Sequence, residues 1–290
     1  MIPTPFDYKA PATLDEAVAL LASDLDGAKV LAGGHSLIPA MKLRLAQPQL
    51  LVDIARIKSL SYIREEDDEI LIGATTTHYQ LESSDLLKQV CPLLPACAKS
   101  IGDVQVRNKG TIGGSIAHSD PAGDWPAAVL ALDADLVLVG PNGERTVNVE
   151  NFFVDLFTTD LQPGEILREI RIKKPSGRFG QAYQKVPHPA SGFAVVGIAV
   201  NLSFNDDGSC KSAGIGVTGV SVKAYRAKAV EAALVGTSLD DNAIAIAVAH
   251  VCDGISGNSD LYASSEYRCH LATVHTRRAI QRILAADERR

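Results

Sequence analysis

Two short glycine loops constrain this chain more than any other feature of its sequence. Residues 107–124, RNKGTIGGSIAHSDPAGD, are centred on Gly113 and Gly114, and Ala32-Gly33-Gly34-His35-Ser36 repeats the same chemistry about eighty residues earlier. Glycine has no Cβ, so the backbone can approach a ligand closely and turn successive amides toward an anion. Two such loops predict a ligand with more than one phosphate, held from both sides, as a dinucleotide would be.

The first loop lies in the order of elements that an anion site needs. The apolar run Ala28 to Leu31 predicts a strand that ends at the glycines, and Ser36 then opens a segment with Pro39 near its first helical turn. The alternative is a tight strand-to-helix turn, in which the glycines serve backbone shape alone and Ser36 is the N-cap. The sequence of this loop does not decide between the two.

The second loop has the same alternative but more polar surroundings. An aspartate, Asp124, follows it and could accept from ribose hydroxyls or an adenine amine. His35 and His118 could act as acid or base, but no carboxylate is placed to orient either, which favours a hydrogen-bonding role. The polar residues bunched around the second glycine pair are Arg107, Asn108, Thr111 and Ser115.

A third glycine motif, Gly214-Ile215-Gly216-Val217-Thr218-Gly219, has the G-x-G-x-x-G spacing of a dinucleotide fold. That motif indicates such a site only when a strand precedes it and a helix opens on its last glycine. Here the glycines lie inside a predicted strand, and the next helix begins only near Ala227. We therefore expect a structural role for this motif and no Rossmann fold.

The length of 290 residues suggests two domains, with the boundary near Lys174-Pro175-Ser176-Gly177. Thr13 and Glu16 predict a capping box at the first helix, and the acidic run 65–69 predicts the solvated tip of a hairpin. Beyond the boundary, a run of strands is followed by helices, which is typical of an α+β domain. The strands are predicted at 181–186, 193–204 and 212–222, and the helices from Ala227, from Asp241 and from about Ser265 to Asp287.

The bulk properties exclude several classes of partner. A net charge of −6 and a pI near 5.6 argue against a nucleic-acid surface or an anionic membrane. The N-terminal sequence resembles no signal peptide, and no apolar run reaches the roughly 18 residues of a membrane span, so we expect a cytoplasmic protein. The five scattered cysteines, Cys91, Cys97, Cys210, Cys252 and Cys269, fit neither a disulfide framework nor a metal or iron–sulfur site, and each is expected to be a small buried residue.

Longer stretches of the sequence resemble a known family. AGGHSLIPAMKLRLAQP, at 32–48, and QVRNKGTIGGSIAHSDPAGDWPAA, at 105–128, are similar to the FAD-binding subunits of molybdenum hydroxylases. This family includes the medium subunits of aerobic carbon monoxide dehydrogenases, and the same module occurs inside xanthine dehydrogenase. The similarity covers essentially the whole chain, including FDY at 6–8 and EYR at 266–268.

The resemblance implies an α+β fold and bound FAD. A flavin-binding domain of the vanillyl-alcohol oxidase (PCMH-like) type would span 1–176, in subdomains of about 1–55 and 56–176, and a smaller α+β domain with an antiparallel sheet would span 177–290. No catalytic residue and no metal ligand is implied. The residues implied to contact FAD are Ala32, Gly33, Gly34, His35, Ser36, Leu37, Ile101, Gly110, Thr111, Ile112, Gly113, Gly114, Ser115, Asp124, Ile166, Leu167, Lys185 and Phe193.

Within this set the resemblance implies separate roles. The two glycine loops would hold the diphosphate, Asp124 the adenosine end, and Leu167 would pack near the adenine. Ile101 would lie near the isoalloxazine, Lys185 would approach its polar edge, and Phe193 would cover the flavin. The family often has asparagine at the position of Ser115 and His-Pro at 103–104, and these departures weaken a substrate assignment but not FAD binding.

The implied function is electron transfer within a complex, a dimer of heterotrimers. A molybdenum subunit would oxidise the substrate, an iron–sulfur subunit would pass single electrons, and the flavin here would deliver pairs to quinone, NAD or oxygen. The cysteines cannot hold a cluster, so the iron–sulfur partner is expected to be a separate chain. Carbon monoxide, a purine or other N-heterocycle, and an aldehyde all stay open as substrates. A non-redox scaffold and a stand-alone flavin oxidase or reductase are the competing hypotheses.

Overall fold

The computed structural model describes residues 1–287, and its N-terminal part is built on a small parallel sheet. Three strands pair in the order β1-β3-β2, and helix α1 covers one face with Ala17, Val18 and Leu21. The predicted N-cap is confirmed, because Thr13 accepts from the Glu16 amide, but Glu16 accepts from the amide of Ala12 and not from that of Thr13 as a capping box requires. The elements are β1 (Asp7–Lys9), α1 (Leu14–Ser23), β2 (Ala28–Leu31), α2 (Leu37–Lys42), β3 (Leu50–Asp53) and a 3-10 turn (Lys58–Leu60).

A five-stranded antiparallel sheet follows, in the order β4-β5-β10-β6-β7. The acidic run forms the tip of the β4–β5 hairpin, as predicted. Alternate residues of β10 point to opposite faces, so Ile166 joins the core of the parallel sheet and Leu167 joins the main core. The strands are β4 (Ile63–Glu66), β5 (Glu69–Gly73), β6 (Asp135–Gly140), β7 (Gly143–Asn148) and β10 (Ile166–Lys173), with a separate pair β8 (Phe153–Asp155) and β9 (Thr158–Thr159).

Short helices pack on this sheet and carry the second glycine loop. The fully buried Trp125 lies in α8, which is buried along its whole length. A helix buried on all sides must have protein on both faces, and here the second face belongs to the C-terminal unit. The helices are α3 (His78–Ser83), α4 (Asp85–Val90), α5 (Leu93–Lys99), α6 (Val104–Arg107), α7 (Ile112–His118), α8 (Asp124–Ala131) and α9 (Val149–Phe152).

The C-terminal unit is a four-stranded antiparallel sheet with helices packed on it. The strands lie in sequence order, and the helices bury a second large core against them. The strand predicted at 212–222 spans Cys210–Thr218 in the structure. It ends before residue 222 because Gly219, with a φ of +85°, interrupts the extended backbone. The elements are β11 (Phe179–Pro187), β12 (Ala194–Phe204), β13 (Cys210–Thr218), β14 (Tyr225–Arg226), α10 (Lys228–Leu234), α11 (Asp241–Val248) and α12 (Ser265–Asp287).

The third glycine motif joins the two units. Gly214 and Gly216 lie in β13, which confirms that the motif is part of a strand. A Cβ on Gly214 would lie 2.1 Å from the carbonyl oxygen of Ala131, and one on Gly216 would lie 1.9 Å from that of Ala127. The missing side chains therefore let α8 pack directly on the backbone of β13.

One expectation about the cysteines was wrong. Cys252 and Cys269 form a disulfide that connects the segment after α11 to the first turns of α12. The pairing follows from tertiary packing, which brings their Cα atoms to 6.0 Å, and a separation of 17 residues gives no sequence signal for it. Cys91, Cys97 and Cys210 are free and buried, as expected.

Within residues 1–287, no helix is both long enough and apolar enough to cross a membrane. Over the same residues, no group of three or more His, Cys, Asp or Glu side chains is placed to hold a metal ion.

We expect Gly216→Ala to lower the free energy of unfolding by about 3 kcal/mol, because the added methyl would overlap the α8 backbone. Urea denaturation of the full chain measures this loss. Gly254→Ala is the control: Gly254 has a φ of +72° and no atom within 4 Å of the place a methyl group would take, so only backbone strain, about 1 kcal/mol, is expected. Equal losses in the two variants would contradict the close packing at Gly216.

Candidate functional site

The two glycine loops lie against each other. A Cβ on Gly33 would lie 2.3 Å from the carbonyl oxygen of Lys109 and 2.7 Å from the Cα of Gly110, so the backbones touch where no side chain fits. On the exposed side, a Cβ on Gly114 would come within 3.7 Å of the Ala32 side chain. The two loops are therefore close enough together to contact one ligand.

The first loop offers a row of free donors. Among the described residues, none accepts a hydrogen bond from the five consecutive amides of residues 33–37. Gly34 has a φ of +73°, a conformation in which a loop turns consecutive amides to one side. Ser36 occupies the N-cap position of α2, but its hydroxyl makes no capping bond, so the simple turn alternative does not account for this serine.

The second loop differs from the first, contrary to the expectation of equivalent chemistry. The amides of Ile112 and Gly113 donate to the carbonyl oxygens of Thr76 and Ala74, at 3.0 and 2.9 Å. The Gly114 amide donates to Thr111 Oγ1 at 3.2 Å. The amides of Ile112, Gly113 and Gly114 are therefore not free to bind a ligand. Gly114 is exposed and has no side chain, so this loop leaves room for a ligand beside it.

A histidine that the sequence analysis did not single out lies beneath the second loop. His78 Nδ1 accepts from the indole Nε1 of Trp125 at 3.0 Å, and the His78 amide donates to the carbonyl of Gly110. Burial lowers the pKa of His78 to about 4, with smaller contributions from His35 and Arg107. The ring is therefore neutral near pH 7.

A buried ion pair connects the start of α8 to β11. Asp124 Oδ2 accepts from Lys185 Nζ at 2.8 Å, and Oδ1 accepts from the Tyr183 hydroxyl at 2.5 Å. Lys185 also donates to the carbonyl of Ser100 at 3.0 Å. Burial raises the pKa of the Asp124 carboxyl, and the Lys185 ammonium and the Tyr183 hydroxyl oppose that rise.

This ion pair restricts two of the expected roles. Asp124 and Lys185 were expected at opposite ends of FAD, yet their charged groups are in direct contact. An extended nucleotide cannot present its adenosine to one member of a contacting pair and its flavin to the other. At most one of the two assignments holds for FAD in that form.

The apolar residues that were expected to contact FAD differ in their exposure. Ile101 is half-buried and follows Ser100, whose carbonyl accepts from Lys185. Phe193 is 45% exposed in the turn between β11 and β12. Ile166 and Leu167 are buried in two different cores.

Two of the other polar candidates, Arg107 and His118, contact the surrounding fold. Arg107 donates to the carbonyls of Ile101 and Gly102 and pairs with Glu82 at 2.7 Å. His118 packs against the Phe157 ring, with the centroids 5.1 Å apart. His35 is exposed, and its Nδ1 lies 2.9 Å from the carbonyl oxygen of Gly33.

The glycine loops face open solvent and not an enclosed cavity, since His35 and Gly114 are both exposed. Two surface recesses, of about 220 and 450 Å³, lie elsewhere. The smaller is lined by the β6–β7 turn and the loop before β10, and the larger by α1 and the residues before it.

Known proteins match the chain over nearly its full length. The family described as "FAD binding domain in molybdopterin dehydrogenase" matches residues 4–175, and "CO dehydrogenase flavoprotein C-terminal domain" matches residues 181–283. The carbon monoxide dehydrogenase medium chain of Afipia carboxidovorans is 41% identical over 285 residues, which cover 98% of this chain and 99% of that relative.

Two further relatives extend the comparison. The glyceraldehyde dehydrogenase medium chain of Sulfolobus acidocaldarius is 36% identical over 285 residues, covering 98% of this chain and all of that relative (100%). A solved structure of carbon monoxide dehydrogenase from Hydrogenophaga pseudoflava, in a form lacking the Mo-pyranopterin moiety, matches with a TM-score of 0.95 at 42% identity. That match covers 98% of this chain and 99% of the solved chain.

Acidification is expected to destabilise the fold through His78. The unfolded chain takes up a proton near pH 6.5 and the folded chain only near pH 4, so the free energy of unfolding falls as the pH drops from 6.5 to 4. The full loss is about 3 kcal/mol, and below pH 4 this residue contributes no further change. Urea denaturation across this range measures the slope, and His78→Gln is expected to reduce it. If the free energy of unfolding depended on pH equally in His78→Gln and in the wild type, His78 would not be the cause of this pH dependence.

Asp124→Asn is expected to lower the free energy of unfolding by about 3–5 kcal/mol, because it leaves the buried Lys185 charge without a partner. The matched control is Asp133→Asn, which removes an exposed carboxylate 3.3 Å from Arg226 and is expected to cost less than about 1 kcal/mol. Both values come from chemical denaturation. Similar losses would show that the Asp124 pair is not desolvated.

Proposed function

Because this chain belongs to the family of FAD-binding subunits of molybdenum hydroxylases, we propose that it is the electron-transfer subunit of such a complex. It would accept electrons from an iron–sulfur subunit and pass them through FAD to quinone, NAD or oxygen. Its likeness to carbon monoxide dehydrogenase medium chains, at 41% identity, favours a carbon monoxide dehydrogenase-like complex. An equivalent subunit of a xanthine, N-heterocycle or aldehyde dehydrogenase is the alternative.

The free amides of residues 33–37 are the observation that carries this proposal. A diphosphate has several anionic oxygens and needs donors that point to one side, and these five amides have no protein acceptor within residues 1–287. Gly114 leaves room opposite them, and the Gly33–Gly110 contact fixes the spacing of the two loops. The residues present therefore fit the diphosphate of FAD.

Bound FAD would supply the conversion between single-electron and two-electron transfer. The chain would supply position and charge. Lys185, held by Asp124 and by the Ser100 carbonyl, would place an ammonium beside Ile101, where the resemblance puts the flavin. Phe193 has an exposed ring that could cover the flavin from the β11–β12 turn.

The proposed partners are an iron–sulfur subunit and a molybdenum subunit, in a dimer of heterotrimers. Of the five cysteines, three are free and buried and two form a disulfide, and among the described residues no three or more cysteine, histidine or acidic side chains are grouped to hold a cluster. The cluster must therefore come from another chain. The substrate would likewise be chosen by the molybdenum subunit, since relatives that are named for different substrates share this fold.

We also propose the domain limits on the same basis. Residues 1–176 would form a flavin-binding domain of the PCMH-like type, in subdomains of about 1–55 and 56–176, and residues 177–290 the C-terminal domain. The first limit agrees with the change of sheet at residue 63, and the second with the linker between β10 and β11.

Gly114→Asp tests the proposal directly. The carboxylate would face the diphosphate and also crowd Thr111, so we expect a folded chain with less than about a tenth of the wild-type FAD, since a like-charge contact costs several kcal/mol. FAD is measured by absorbance after release from the chain purified with its partner subunits. Electron transfer from substrate to an artificial acceptor should fall in proportion to the FAD content.

Gly254→Asp is the matched control, because it adds the same charge at an exposed glycine of the C-terminal unit. This variant should keep its FAD and its electron transfer. Full FAD content in Gly114→Asp would contradict the site. A wild-type complex that contains no flavin would contradict the proposed function.

A further inference from the structure

His78 is placed where the two glycine loops meet. The segment Thr76–His78 runs antiparallel to Gly110–Ile112, with Thr77 bridged to Thr111 and the His78 amide bonded to the Gly110 carbonyl. Opposite residues of an antiparallel pair project to the same face, so the imidazole occupies the side on which residue 110 would carry its side chain. A Cβ on Gly110 would lie 2.6 Å from His78 Nε2.

The Trp125 indole fixes which nitrogen of this ring carries the proton. An indole N–H is only a donor, so His78 Nδ1 must accept from it, at 3.0 Å. The neutral ring then carries its hydrogen on Nε2. Burial holds the pKa of His78 low, which keeps the ring in this neutral form near pH 7.

Among residues 1–287, none accepts a hydrogen bond from His78 Nε2. His78 as a whole is only 5% exposed, but its Nε2 is not among the fully buried unpaired atoms, so this nitrogen reaches solvent. An N–H donor that reaches the surface and has no competing protein acceptor is available to a ligand or to water. Because Gly110 has no side chain, no side-chain atom of that residue covers the His78 Nε2–H group.

The first loop lies on the other side of the same glycine. Gly33 is in contact with Gly110, and the free amides of residues 33–37 begin at that contact. The exposed His35 is close enough to His78 to disfavour a positive charge on its ring. The unpaired Nε2 hydrogen and the first of the unpaired amides therefore both lie next to Gly110.

We propose that His78 is a further nucleotide-binding residue, whose Nε2–H donates to a phosphate oxygen of the FAD diphosphate beside Gly110. This inference rests on the proposed function, because it requires a diphosphate between the loops. It assigns a binding role to a side chain outside both glycine motifs. Trp125 acts through His78 as a positioning residue, since it sets the tautomer.

Titration of the flavin-free full-length chain with FAD and with ADP tests this role, because ADP carries the diphosphate without the flavin. His78→Phe keeps a ring of similar size but has no donor, and we expect it to weaken binding of both ligands by about 10- to 100-fold. His78→Gln retains an N–H donor and should stay within about threefold of wild type. His275→Phe, which changes a part-buried histidine of α12, should bind both ligands as wild type does.

A second measurement separates binding from packing. In ¹⁵N spectra of histidine-labelled chain, His78 should show the Nε2–H tautomer, and its Nε2 resonance should shift on addition of ADP. Trp125→Phe should reduce the population of that tautomer and weaken ADP binding, with less effect than His78→Phe. A Nε2 resonance that does not respond to ADP would overturn the inference even if His78→Phe failed to fold.

The outcomes distinguish this inference from the function on which it rests. Wild-type chain that binds neither FAD nor ADP would contradict the proposed function. Wild-type binding together with unchanged affinities in His78→Phe would overturn the role of His78 alone. Loss of binding in His78→Phe, retention in His78→Gln and a shifted Nε2 resonance would establish it.

Discussion

The candidate site depends on a backbone contact between two loops far apart in sequence. Gly33 and Gly110 touch where a single methyl group would overlap the opposing chain. Because the contact involves backbone alone, its geometry is set by the sheets that precede the loops and not by flexible side chains. The parallel sheet ends at the first loop, and the turn after β5 binds the second through the carbonyls of Ala74 and Thr76.

The backbone amides of the two loops have different partners. The second uses its amides to bind protein carbonyls, and this fixes its position, whereas the first keeps five amides free. A rigid wall opposite a row of available donors suits an anionic ligand, since little reorganisation is needed on binding. Asp124 and Lys185 then join the start of α8 to the C-terminal sheet, so residues from both units lie at the same site.

Much of this could be predicted from the sequence, and the failures have physical causes. The glycine pairs, the Thr13 cap of α1 and the strand character of the third glycine motif are local signals, and each could be predicted from the sequence. The unequal use of the amides was not, because it depends on the segment Ala74–Thr76, which comes from another part of the chain. The pairing of Cys252 with Cys269 and the contact of Asp124 with Lys185 likewise arise only from tertiary packing. His78 left a weak signal, a histidine that follows the capping threonine Thr77 of a short helix, which does not by itself indicate a ligand.

The direct packing of α8 on β13 gives that helix a mechanical role. Its first residue holds Lys185, its second holds His78, and its later turns rest on Gly216 and Gly214 without an intervening layer of side chains. Close-packed backbones transmit displacement with little damping. A shift of the C-terminal sheet, such as one imposed by a docked neighbour, would therefore reach the histidine and the lysine together.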